Sequence, residues 1–210
     1  MSGSSRAATR RSSLLPDRYG YDYGGGRRLG APALNGAGPV LHCQVNEATP
    51  VPSTLPEVAW RAGLDLAPID VTDDESVSWL ESLVWPGEHD RLVQLRAAVN
   101  GARDDPPRIV SGDLRHDLPA LADQAPAGAT LVVFHTAVLG YVHDTANRRR
   151  FAETVHTLGA RWIADEPPDV VELEQPPRPG PAPGGEILLS LDGRALAWAD
   201  PHGAWLRWLA

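Results

Sequence analysis

His135 and Thr136 follow directly on the apolar run Leu131–Phe134, where a strand would leave a sheet. An imidazole in that position would serve as a general base near neutral pH, or donate a hydrogen bond to a substrate. The alternative is a partly buried histidine that satisfies a neighbouring carbonyl. Thr136 would contact a ligand, orient the ring, or cap the helix that follows. Glu166 ends the next strand, where it either approaches His135 from the adjacent loop or lies on the surface before a Pro-rich stretch. His202, in the turn Asp-Pro-His-Gly, either faces a cleft at a sheet end or only closes its own turn. His135, Glu166 and His202 are the catalytic candidates. Upstream, Asp65 falls near the end of one predicted strand, with Asp70 as a competitor, and Gly112-Asp113 follows another. Each also has an ordinary reading, a capped turn before Pro68 and an everyday Gly-Asp turn.

Other chemistries lack their residues. All 19 basic side chains are Arg, so neither a Schiff-base lysine nor the lysine of a phosphate-binding loop is available. No G-x-S-x-G marks a serine nucleophile. His116, His135, His143 and His202 show no i, i+4 pair with a catalytic Glu, and Cys43 is single, so a metal-dependent hydrolase is a third-ranked reading with no metal ligands to assign.

The elements that must position these residues follow from composition and periodicity. A chain of 210 residues, 42% hydrophobic and 22% charged, is long enough for a substantial core. A net charge of −8 argues against a nucleic-acid groove, and no apolar run approaches bilayer length. The single cysteine and the missing apolar leader fit a cytoplasmic location. Leu131–Phe134 has the continuous apolarity of a strand buried on both faces of a parallel sheet, and ligands of such sheets sit at the carboxyl ends of the strands. Further strands are expected over 40–45, 58–66, 108–110, 161–164, 187–191, 195–199 and 204–209, with Asp192-Gly193 a hairpin signal. Helices are expected from a Thr72/Glu75 capping box to about Trp85, over 90–102 with Gly101 near the end, around 118–123, and through Phe151, Val155 and Leu158. Residues 1–13 read as disordered and 167–185 as a long Pro-rich loop. The fold class is therefore α/β: a doubly wound, mostly parallel Rossmann-like sheet with an antiparallel β-meander at its C-terminal edge.

The segments WRAGLDLAPIDVTD, WLESLVWP, RIVSGDL, VVFHTAVLGYV, ARWIADE and WADPHGAWLRW resemble an uncharacterised bacterial family, domain of unknown function twenty-three thirty-two. The resemblance runs from about Leu14 to the C-terminus. The element order is also similar to that of class I S-adenosylmethionine-dependent methyltransferases. That likeness implies an adenosyl cofactor at the strand ends, with Asp65 accepting hydrogen bonds from ribose hydroxyls, Gly112 and Asp113 beside the adenine, Thr136 nearby, and a small-molecule substrate. The family pattern places a strand and a Gly-rich turn before LLPDRYGYDYG, where this chain has SSRAATRRSS. The expectation is thus a single truncated domain over 14–210 lacking its first strand and cofactor turn. The competing expectation is a non-catalytic remnant or binding module. The oligomeric state is left open.

Overall fold

The computed structural model describes residues 14–30, 39–175 and 186–209. The disordered reading of residues 1–13 and most of the Pro-rich loop lie outside the described residues. The fold is mixed α/β, with strands both parallel and antiparallel, and the chain divides into two compact units.

The first unit comprises Met1–Leu41 and Pro52–Asp113. Strand β1 (Gly20–Asp22) pairs antiparallel with β2 (Arg28–Leu29) across the glycine turn 24–26, and β3 (Val40–His42) lies on its other side. The predicted strand over 40–45 is broken at Cys43, and its second half, β4 (Gln44–Val45), belongs to another sheet. Strand β5 (Ala62–Asp65) pairs in parallel with β6 (Arg108–Ser111). Between them, helices α1 (Asp74–Ser82) and α2 (His89–Asp104) form the crossover that a parallel pair requires. Helix α1 is capped by Asp73, whose carboxylate accepts from the Ser76 N–H, rather than by Thr72, which is held in a turn by Asp70. Helix α2 continues through Gly101 to Asp104, because burial of Val99 and Ala102 outweighs the weak helix propensity of one glycine. Leu15, Tyr19 and Ala102 form the core here. Arg61 holds Asp17 through two hydrogen bonds of 2.6 and 2.8 Å and also donates to the Leu14 carbonyl. Gly63 permits close strand packing, since a Cβ there would meet Ile109 Cδ1 at 2.8 Å.

The second unit comprises His42–Val51 and Leu114–Ala210. After the short helix α3 (Leu118–Ala122) come β7 (Val132–Thr136), helix α4 (Thr145–Thr157) and β8 (Arg161–Glu166), a right-sized βαβ crossover. Strands β9 (Ile187–Leu191), β10 (Arg194–Ala199) and β11 (Trp205–Trp208) complete an antiparallel meander. The Asp192-Gly193 turn has φ of 51° and 80°, the two positive values that a tight hairpin needs. The sheet order is β4-β11-β10-β9-β8-β7. Among the described residues strand β7 is therefore at an edge, not central as its apolar run suggests, and Val132 and Phe134 on one face are 43% and 40% exposed. Its other face packs on α4 through a core of Leu139, Phe151, Val155, Ala164 and Val171. Among the described residues no helix is long and apolar enough to cross a membrane.

Candidate functional site

The carboxyl ends of β7 and β8 bring together two of the three catalytic candidates. In register, His135 lies beside Ala164, and strand alternation puts Trp162 and Glu166 on that same face, one step to either side. The small Ala164 leaves room for the imidazole to lie between its larger neighbours. Trp162 Nε1 donates to His135 Nε2 at 2.8 Å, and His135 Nδ1 is 2.8 Å from Glu166 Oε1. An indole N–H can only donate, so Nε2 is the acceptor and the ring proton sits on Nδ1, facing the carboxylate. The ring also packs edge-on to Phe151, with centroids 5.7 Å apart.

Glu166 is an internal anion. Its Oε1 accepts from the backbone N–H groups of Val138 at 2.6 Å and Leu139 at 3.0 Å as well as from His135. Ala137, at φ 48°, turns the chain so that these two N–H groups converge on the carboxylate. Successive amides arranged in this way form an anion-binding nest. Burial pushes the Glu166 carboxyl up, but hydrogen bonding and attraction from His135, together with the Leu139 and Val138 amides, bring it below the ordinary range. The side chains of His135 and Glu166 are 8% and 0% exposed. Loss of the carboxylate would strand two backbone donors at about 1–3 kcal/mol each. The position where an open α/β sheet receives an external anion is thus filled from within.

On the opposite face of β8 is Asp165, in register with Thr136 of β7 and Leu189 of β9. Its Oδ1 is buried without a hydrogen-bond partner, and burial, aided by repulsion from Glu166, pushes its carboxyl up to about 7. His202 is exposed in the β10–β11 turn, which Asp200 closes by accepting from the His202 and Ala204 N–H groups. β10 runs parallel to β8, so this turn is at the same end of the sheet as His135, but three strands from β7, about 15 Å at normal strand spacing.

In the other unit, Asp65 and Gly112-Asp113 meet at the carboxyl end of β5–β6. Asp65 is in register with Ser111, and the Gly112 N–H donates to the Asp65 carbonyl at 3.0 Å. One Asp65 carboxylate oxygen accepts from the Ala67 N–H at 2.9 Å, and the other receives no hydrogen bond from the described residues. Asp70 instead closes its own turn by accepting from Thr72. Among the described residues no group of three His, Cys, Asp or Glu side chains could hold a metal ion.

The sequence matches the family described as "Uncharacterized protein conserved in bacteria (DUF2332)" over residues 13–208. The chain belongs to this family. No curated protein and no solved structure matches it. Trp162 and Asp165 are not among the sequence candidates. The signal for the first was the alternation Trp162-Ala164-Glu166, three residues that a strand must present on one face. For Asp165 there was none, since its isolation is visible only once its neighbours are placed.

Proposed function

We propose that this DUF2332 chain binds the nucleoside part of an adenosyl cofactor of the S-adenosylmethionine class at the carboxyl ends of β5 and β6, and acts on a small molecule. The observation that supports this reading is the pairing of Asp65 with Gly112-Asp113 across two adjacent parallel strands. A carboxylate with one oxygen engaged in its own turn and the other open matches the need to accept from ribose hydroxyls. The backbone around Gly112, free of a side chain, lets a flat base approach. The fit extends to the nucleoside half only. Among the described glycines of this unit, 24–26 make a hairpin turn and not the strand-to-helix turn that would cradle an amino-acid tail. When bound, such a cofactor supplies an electrophilic methyl group; the residues named here would bind and orient its nucleoside.

The test is thermal unfolding of the full chain with S-adenosylhomocysteine. A ligand selective for the native state at about 100 times its Kd adds about 2.7 kcal/mol, a rise of several degrees in Tm. Asp65→Ala should abolish the rise. An unchanged Tm at saturating S-adenosylhomocysteine would refute the reading.

One observation favours a second reading, a binding module without catalysis. Both ring nitrogens of His135 are engaged, and its side chain is buried, so the leading candidate base is committed to structure. Ligand binding without turnover of any methyl acceptor would distinguish this reading from the first.

A further inference from the structure

Glu166 and Asp165 are neighbours in sequence with opposite circumstances. Glu166 is sealed, with three donors on Oε1 while Oε2 is buried without a hydrogen-bond partner. Asp165, only half-buried, receives no hydrogen bond to its carboxylate and forms no ion pair among the described residues, and Oδ1 is shut off from solvent. The charged group that acts on it is Glu166, which repels it. A partly buried carboxylate with neither donors nor counter-charge is costly, and a structure that keeps one leaves an acceptor for something outside the chain.

The surface beside Asp165 indicates what that partner is. Thr136 is its register neighbour on β7, bringing a hydroxyl to the same face. One step further along that face, Phe134 is in register with Ile163, and Val132 follows. Phe134 and Val132 are 40% and 43% exposed. The sequence of surfaces is therefore a carboxylate, a hydroxyl, and then an apolar strip about 7 Å per step along an edge strand.

We propose that this face binds a small organic amine, with its ammonium on Asp165 and its hydrocarbon part along Phe134, Ile163 and Val132. An ammonium on Oδ2, the carboxylate oxygen that is not shut off from solvent, supplies the missing counter-charge and a donor, and the exposed Phe134 ring adds attraction for a cation. An alcohol of the same shape would supply a hydrogen bond without the charge. A carboxylate ligand would be repelled. The site belongs to the second unit and needs nothing from Asp65 or an adenosyl cofactor, so it stands or falls separately from the function proposed above.

The experiment uses the full chain at pH 8, with 2-phenylethylamine and 2-phenylethanol as matched probes, followed by calorimetry and thermal unfolding. The amine should bind saturably and raise Tm, and the alcohol should bind at least about tenfold more weakly, the difference expected for one charge-assisted hydrogen bond. Asp165→Asn, nearly identical in shape, should reduce amine affinity to that of the alcohol while leaving the protein folded. Phe134→Ser should weaken both probes alike. Equal binding of amine and alcohol would overturn the proposal. So would an amine response retained in Asp165→Asn, or no response of the native chain at millimolar amine.

Discussion

Replacing Asp165 by Asn removes a carboxyl that titrates near 7 in the folded protein against an ordinary value of 3.8. Between those two values the folded state keeps a proton that the unfolded chain has released. Stability must therefore fall as pH rises through that window, and level off above about 7. At 1.36 kcal/mol per pH unit over roughly three units, the cost above pH 7 is about 4 kcal/mol, and about half of that if solvent relaxes around the charge. Asparagine stays neutral throughout, so Asp165→Asn should match the native chain near pH 4 and exceed it by about 2–4 kcal/mol at pH 8. Urea unfolding at half-unit steps from pH 4.5 to 8 measures this directly. Groups that do not interact with Asp165 contribute equally to both proteins, so the difference between the two curves reports Asp165 together with its coupling to Glu166. A difference that stays constant across the range would refute the reasoning, as would a variant less stable than the native chain at pH 8.

Two further outcomes are expected in the same unit. Ala137→Gly relieves a residue held at φ 48°, and should stabilise by about 0.5–1 kcal/mol in denaturant melts, because the strain relieved exceeds the entropy that glycine adds to the unfolded chain. Nitrogen-15 NMR of His135 should show a protonated Nδ1 and a lone-pair Nε2, as its bonds to Glu166 and Trp162 require; the opposite tautomer would break the assigned network.

Much of the fold was legible because it rests on alternation and turn chemistry. The meander from β8 to β11 and the Asp192-Gly193 hairpin were expected within a residue or two, since each is a local pattern. What failed was local too, but ambiguous. Thr72 with Glu75 and Asp73 with Ser76 are both capping patterns one residue apart, and with the Thr72 hydroxyl bonded to Asp70 the carboxylate of Asp73 takes the amide. The Leu131–Phe134 run reads as an interior strand because apolarity on both faces usually means cover on both faces. It reports the composition of the strand and not what is paired beside it. At the site, His135 and Glu166 were both singled out, but the partners that bury Glu166 are backbone amides of Val138 and Leu139. Backbone donors carry no letter in a sequence, so a carboxylate before a Pro-rich loop looked like surface. The two residues on one strand, Asp165 and Glu166, could be told apart only by the faces they turn to, because their sequence context is shared.

The second unit is assembled from two separated pieces of chain, and this sets the order in which it can form. Asn46, beside β4, accepts from the Trp208 N–H and donates to the Trp208 carbonyl, a contact that spans 162 positions. Strand β4 pairs with β11 in register, Gln44 with Trp205 and Val45 with Leu206. During synthesis β4 leaves the ribosome early but has no partner until β11 emerges, after the whole helical crossover of the other unit has been made. Closing so long a loop comes late and slowly, because its entropy is lost before its contacts are gained. Until then the outer edge of β11's position is open, and the meander must hold itself together through β8, β9 and β10 alone. Refolding of the full chain should accordingly end in a slow step in which this first short strand is fastened to the last.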